Sequence, residues 1–272
     1  MGGWVGYYKG GAVNPVEEFK EIVKRNIDGL SEDSDLYNTT LAWIRQSSRY
    51  GYTYNFSWLG RPIIQYPQDI VAIQELIWEV KPDLIIETGI AHGGSLVFSA
   101  SMLALLDLAD AVELGGVLNP TESHRKVLGI DVDIRPHNKE LIEGHPMSSR
   151  IEMIEGSSVD PRIIDRVRAA AANYEHIMVL LDSNHTHDHV LSELEAYAPL
   201  VSLGSYCVVL DTLIEYMPDG FFEDRPWSKG DNPMTAVKEF LEGRSDFIVD
   251  EAIEQKLQIT VAPNGYLKRI AV

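Results

Sequence analysis

Two short apolar runs in this chain each close on an aspartate. Ile177–Leu181 leads straight into Asp182-Ser183-Asn184-His185, and Tyr206–Leu210 leads into Asp211-Thr212. Runs this short and this rich in Val and Ile mark strands buried on both faces, as in a parallel sheet. An acid at the carboxyl end of such a strand stands at the rim where α/β folds place their ligands. If the two strands are neighbours, about 4.8 Å apart, both carboxylates reach a single hard cation. His185 follows three residues after the first aspartate. Two acids with a proton acceptor beside them fit a metal-assisted deprotonation site.

The rest of the chain keeps the same alternation. Asp83–Glu87, Val127–Val132 and Ile151–Glu155 are further expected strands, and Phe247–Val249 and Tyr266–Ile270 are two short closing ones. Helical patterns lie between them. Asp69–Val80 carries Ile70, Ile73, Leu76, Ile77 and Val80 on one face and stops at Lys81-Pro82. Gly94–Leu108 is apolar, and Asp160-Pro161 opens a helix with an N-cap aspartate and a proline at the first helical position. Asp188–Tyr197 and a helix from Asn232-Pro233 to Leu241 complete the pattern. Strands alternating with helices predict an α/β fold, doubly wound, with a mostly parallel seven-stranded sheet covered on both faces.

Residues 1–67 precede this domain (68–272) as an expected N-terminal extension. A helix is predicted over Val16–Asp35, with Phe19, Ile22, Val23, Ile27 and Leu30 as its apolar stripe. The loop-like stretch Tyr50–Trp58 is densely aromatic. Its rings pack the extension onto the domain, line a pocket for an organic substrate, or do both. Two connections are long, Leu108–Lys126 and Tyr216–Asp231; the second follows Asp211 and is the candidate lid.

Composition narrows the function classes. The chain sets 23 Lys and Arg against 41 Asp and Glu, a net charge of −18. A nucleic-acid partner needs a basic footprint that this chain lacks, and an anionic membrane surface is disfavoured on the same ground. The one cysteine, Cys207, lies inside an apolar run and reads as a buried structural thiol. Met1–Gly11 is aromatic and glycine-rich, without the basic and apolar regions of a signal peptide. No stretch reaches the ~18 uninterrupted apolar residues of a membrane span. A cytoplasmic protein is expected, assembling as a homo-oligomer and acting on a small molecule.

Three further constellations sit at predicted strand ends. Glu87-Thr88-Gly89-Ile90-Ala91-His92-Gly93-Gly94-Ser95 joins the first core strand to its helix. Its glycines permit a tight turn and let a ligand approach amides at a helix N-terminus. The G-x-x-x-G-G spacing, with a glutamate in front, departs from G-x-G-x-x-G and suits an amino-acid-bearing cofactor better than a pyrophosphate. Asp131 ends the next strand and is placed to accept from ribose hydroxyls; the long Leu108–Lys126 connection accounts for a spacing beyond the usual ~20 residues. Ser157 and Ser158, after the third strand, either contact an adenine edge or form an ordinary turn. His187 and His189 are expected at the surface, because residues two apart on a helix do not share a face.

Taken together, Glu87-x-Gly89-x-x-x-Gly93-x-Ser95, Asp131, Asp182-x-x-His185 and Asp211 resemble the metal-dependent small-molecule O-methyltransferases that use S-adenosylmethionine. With Trp58-Leu-Gly-Arg-Pro-Ile-Ile-Gln-Tyr-Pro67 and the strand end Val208–Thr212, the resemblance is closer to the cephalosporin hydroxylase or rhamnosyl O-methyltransferase family, over residues 55 to 271. It implies a Rossmann-like fold and methylation of a hydroxyl, on a sugar or on a non-sugar natural product of β-lactam type. It also implies cofactor contacts from Glu87, Thr88, Gly89, Gly93, Ser95, Asp131, Ser157, Ser158 and Asp182, with Glu87 and Gly89 at the methionine part and Asp131 at the ribose. Asp182 and Asp211 would be Mg²⁺ ligands and His185 the general base. Relatives often carry Glu immediately before the second aspartate, where this chain has Leu210. The H-x-D element of an iron hydroxylase is absent. A nicotinamide-dependent oxidoreductase and a non-catalytic cofactor-binding protein are the competing classes.

Overall fold

A computed structural model describes residues 14–271. The aromatic, glycine-rich start at Met1–Gly11 lies outside the described residues. Two helices come first, α1 (Pro15–Glu32) and α2 (Ser34–Ser48), where one helix over Val16–Asp35 was expected. The break is at Asp33, whose carboxylate accepts from the Leu36 amide at 2.8 Å and so starts α2. The predicted stripe of α1 is not core: none of its residues is buried, and Phe19 is 63% exposed. Periodicity reports that a helix has an apolar face, not what covers it.

The aromatic stretch is regular structure rather than loop. After a 3₁₀ turn, β1 (Phe56–Trp58) and β2 (Arg61–Ile63) pair as an antiparallel hairpin whose turn holds Leu59 and Gly60 at positive φ. Tyr52 packs edge-on against Trp43 and Phe56, with ring centres 4.9 and 5.2 Å apart. Trp58 stands edge-on to Phe98, and its indole N–H donates to Ser101 Oγ at 2.9 Å. Behind the hairpin, α3 (Pro67–Val80) buries Asp69, which accepts from the Val261 amide and the Tyr266 hydroxyl, both at 2.9 Å. Burial pushes this carboxyl up to about 6, and its donors restrain the rise.

The chain then alternates: β3 (Leu84–Thr88), α4 (Gly94–Leu114), β4 (Lys126–Asp131), α5 (Pro136–Glu143), β5 (Ile151–Glu155), α6 (Pro161–Ala171), β6 (Ile177–Leu181), α7 (His187–Tyr197), β7 (Tyr206–Val209) and α8 (Pro233–Leu241). It closes with β8 (Phe247–Val249), α9 (Glu251–Leu257) and β9 (Tyr266–Arg269). The seven strands form one sheet in the order β5-β4-β3-β6-β7-β9-β8, with β9 antiparallel to both its neighbours and the rest parallel. This is the expected doubly wound, Rossmann-like architecture. Every residue of β3 and β6 is buried, which is why their sequences are apolar without alternation.

Two short helices escape sequence inspection. α5 starts at a proline within polar sequence, and α9 buries only Ile253. α4 runs past the predicted stop at Leu108 and ends at Gly115, whose φ of 66° permits the cap. By length and composition α4 could cross a bilayer, with a mean hydropathy of 1.7, yet Leu96, Val97, Phe98, Leu103 and Leu106 are core. The chain moves outward from β3 to β5 and then returns to β6 on the other side of β3. A crevice therefore opens at the carboxyl ends of β3 and β6.

Candidate active site

The first wall of the crevice is the turn after β3. Gly89 has φ of 89°, and a Cβ there would collide with the carbonyl of Asp182. The turn therefore lies directly on the end of β6. A Cβ on Gly94 would likewise meet the Pro62 carbonyl, so the β1–β2 hairpin sits against the start of α4. Arg61, only 8% exposed, fastens the hairpin there. Its Nε donates to the His92 carbonyl at 3.0 Å and its guanidinium to Asn138 Oδ1 at 3.0 Å, while Asn138 Nδ2 donates to the Ala91 carbonyl at 2.9 Å. A segment predicted as an extension thus supports the glycine loop.

Two acids lie beneath this loop. The Asp131 carboxylate accepts from the amides of Ile90 (2.8 Å), Ala91 (3.2 Å) and Asp133 (3.1 Å). Glu87 is buried and accepts from the Ser95 hydroxyl through Oε1, while its Oε2 has no partner. Desolvation pushes the Glu87 carboxyl up to about 8. Thr88 Oγ1 accepts from the Asp182 amide at 3.3 Å, and Gly93 caps α4 with φ of 78°.

The second wall carries the aspartates. β6 and β7 are parallel neighbours with Leu181 opposite Val209, so Asp182 and Asp211 emerge side by side. The ligating atoms of Asp182, His185 and Asp211 all lie within 4.8 Å of one another. His185 Nε2 is 3.2 Å from Asp211 Oδ2. Burial, and after it the charge of Asp211, hold the Asp182 carboxyl well above its ordinary range. Asp211 adopts a left-handed backbone, φ 56° and ψ 18°, a strained conformation of the kind that gathers at functional sites. Leu210 is 2% exposed in the core, and among the described residues no third carboxylate joins the pair.

A cavity of about 830 Å³ lies over these groups, within the range of small-molecule sites. Gly89, Ser95, Asp182, His185 and Asp211 line it, whereas Glu87, Thr88, Gly93, Asp131, Ser157 and Ser158 are not among its lining residues. Tyr52, Tyr54 and Tyr66 form one side, so the aromatic stretch both packs the domain and lines the pocket. The predicted lid supplies Phe221, Phe222 and Trp227. Trp227 stands edge-on to His185 with ring centres 4.7 Å apart. Arg61, Asn138 and Trp227 went unpredicted as individual site residues, although Arg61 and Trp227 lie in segments that the sequence singled out.

The neighbouring histidines correct an expectation. His187 and His189 are only partly at the surface; their side chains are 22% and 21% exposed. His187 reaches Thr235 Oγ1 at 2.8 Å and Glu239 at 3.1 Å on α8. His189 Nε2 lies 3.1 Å from both Ser158 Oγ and Ser183 Oγ. The two rings do face apart, but separate neighbours cover each of them.

A family model described as rhamnosyl O-methyltransferase/CmcI matches residues 50–270. The chain belongs to that family. It is an O-methyltransferase family, as the residue pattern implied. Among its relatives, the rhamnosyl O-methyltransferase of Mycobacterium bovis (strain BCG / Pasteur 1173P2) is 31% identical over 205 residues, 74% of this chain and 73% of that protein. The rhamnosyl O-methyltransferase of Mycobacterium leprae is 29% identical over 217 residues, 78% of this chain and 82% of that protein. A solved structure of CmcI described as D160 with Mg and SAM shares the fold at a TM-score of 0.52 and 19% identity, covering 80% of this chain and 78% of that one.

Proposed function

We propose that this chain moves the methyl group of S-adenosylmethionine onto a hydroxyl of a sugar-bearing small molecule, with Mg²⁺ held by Asp182 and Asp211. One observation carries the reading: three ligating groups converge within 4.8 Å beside a glycine turn that rests on one of them. Hard carboxylate oxygens suit Mg²⁺, and the missing third carboxylate leaves room for water ligands. The unpartnered Glu87 Oε2 suits the ammonium of the cofactor's methionyl group. Asp131 keeps acceptor capacity for ribose hydroxyls beyond the amides it holds, and Ser157 and Ser158 are assigned to the adenine edge. The sugar acceptor is supported by the relatives named rhamnosyl O-methyltransferase. We place the activity in a cytoplasmic homo-oligomer, for which the exposed apolar face of α1 offers a surface.

When bound, Mg²⁺ lowers the pKa of a hydroxyl beside it and the cofactor supplies a sulfonium methyl. The rest of the chemistry is done by the chain. His185 takes the hydroxyl proton, and Asp211 at 3.2 Å orients its ring. The methyl C–S bond breaks as the C–O bond forms, leaving a methyl ether and S-adenosylhomocysteine. Tyr52, Tyr66 and the lid aromatics hold the acceptor and exclude water. His185→Ala is expected to slow transfer by about 10²- to 10⁴-fold while calorimetric binding of S-adenosylmethionine is retained. Full activity after exhaustive EDTA treatment would contradict the cation's role.

Glu87 adds a pH dependence. With a raised value of about 8, its free carboxyl is protonated at neutral pH and must lose that proton to accept an ammonium. Cofactor affinity is expected to climb as pH rises toward about 8 and then level, with proton release on binding. Titration calorimetry in buffers of different ionisation enthalpy reads this directly. A Glu87→Gln protein is expected to show weaker binding with no such slope.

A further inference from the structure

One buried carboxylate has no part in the methyl-transfer chemistry. Asp69, in the first turn of α3, is fully buried and does not line the cavity. Burying a carboxylate is costly unless donors surround it, and here three do. Asp69 Oδ1 accepts from the Thr260 and Tyr266 hydroxyls, and Oδ2 accepts from the Val261 amide. The carboxylate thus fastens α3 to the turn Thr260–Gly265 that leads into β9.

That turn runs alongside the end of β7. The Gly265 carbonyl accepts from the Val209 amide at 2.8 Å, and the Val261 carbonyl from the Leu213 amide at 3.1 Å. Between them, the Pro263 carbonyl accepts from the hydroxyl of buried Thr212 at 2.6 Å. A Cβ on Gly265 would collide with the Val209 carbonyl, so the two segments lie in close contact. The three ties fall on both sides of Asp211, whose φ of 56° is uncommon for a residue that carries a Cβ. A conformation of that kind persists only where its surroundings over-determine it.

We propose that Asp69 is a positioning residue for the cation site: by holding the turn Thr260–Gly265 against Val209–Leu213, it keeps Asp211 in the left-handed conformation that presents its carboxylate to Asp182 and His185. This deepens the reading of Asp182 and Asp211 as cation ligands and rests on it. Asp69 acts on Asp211 through the turn, so it sets cation affinity. The cofactor loop is held by other residues, Arg61 and Asn138 among them, and is left alone. A carboxylate that merely fastened α3 to β9 would set stability and have no effect on the cation.

The test uses the full chain saturated with S-adenosylhomocysteine and titrates Mn²⁺, in place of Mg²⁺, by the paramagnetic resonance signal of the free ion. Asp69→Ala and Thr212→Val are each expected to weaken Mn²⁺ binding about tenfold, and Thr212→Ser, which keeps the hydroxyl, to match wild type. Calorimetric affinity for S-adenosylhomocysteine is expected to stay within about twofold throughout. Because both substitutions act through one turn, the double variant is expected to lose about tenfold rather than about a hundredfold. If Asp69→Ala does not fold, Tyr266→Phe, which strips one of the three donors, replaces it in the same cycle with an expected loss of about threefold. Val167→Ala, in the core on the opposite face of the sheet from α3, is expected to lower the melting temperature and leave Mn²⁺ affinity unchanged. Wild-type Mn²⁺ affinity in the folded Asp69 or Tyr266 variant, full additivity in the cycle, or an equal loss in Val167→Ala overturns the inference and leaves the cation reading standing. Wild-type protein that binds S-adenosylhomocysteine but no Mn²⁺ overturns the cation reading, and this inference with it.

Discussion

Asp211→Asn is expected to remove nearly all turnover and, in cation-free buffer, to make the protein more heat-stable. Both effects have one origin. Two carboxylates converge to within 4.8 Å at the ends of adjacent strands, with His185 Nε2 3.2 Å from Asp211 Oδ2. The burial of Asp182 and, after it, their repulsion keep that carboxyl well above its ordinary value. A raised folded value means ionisation opposes folding. The penalty is absent at a pH below the unfolded value of about 3.9, grows as pH rises from there toward the raised folded value, and is constant above it. Asn at 211 removes the repelling charge while keeping the shape. Melting in EDTA at neutral pH is expected to shift upward by about 2–4 °C for each kcal/mol relieved. The cost falls on function, because a metal-stabilised transition state is worth several kcal/mol, on the order of 10³-fold in kcat. Differential scanning with and without Mg²⁺ checks the pair: wild type gains stability from Mg²⁺ and Asp211→Asn does not. A variant that melts lower than wild type without cation would show that the carboxylates do not oppose each other.

The second large effect belongs to Gly89→Ala. The position has φ of 89°, and the new Cβ would run into the carbonyl oxygen and carbon of Asp182. The obstacle is backbone at the end of β6, so no side chain can swing aside. Strain and displacement together are expected to cost about 3 kcal/mol or more. Cofactor binding goes with it, because separating the β3 turn from the β6 end opens the site. Gly115→Ala is the comparison: φ is 66° with nothing within 4 Å, so only the left-handed penalty of about 1 kcal/mol applies. Urea unfolding of the two variants side by side gives the answer. Equal losses would mean that the close approach of Gly89 to Asp182 contributes nothing.

Much of this site was legible in the residues alone, for a local reason. A buried parallel strand must be apolar throughout, a turn at positive φ must be glycine, and a helix start favours Asp-Pro or Asn-Pro. Each rule acts within a few residues, so Ile177–Leu181, Gly89 and Asp160-Pro161 could be assigned without knowing their neighbours. The residues that went unrecognised all owe their role to distant partners. Arg61 matters because it meets Asn138 and the His92 carbonyl; Trp227 matters because it meets His185. His187 and His189 lose their expected exposure to Thr235 on α8 and to Ser158 after β5. No periodicity in the chain encodes such pairs.

The amino-acid order determined by itself that the strands would be parallel and buried, that glycines would bring the β3 turn close to something, and that two aspartates would end at the sheet rim. Tertiary structure decided what that something was, and that β6 would lie beside β7 so that the aspartates meet. It also decided that the β1–β2 hairpin would buttress the loop rather than hang outside the domain, that Leu210 would lie in the core, and that the stripe of α1 would not be fully buried. The division follows from range: backbone preference and burial are written in short windows, whereas the choice of neighbour is made by packing between segments far apart in the chain.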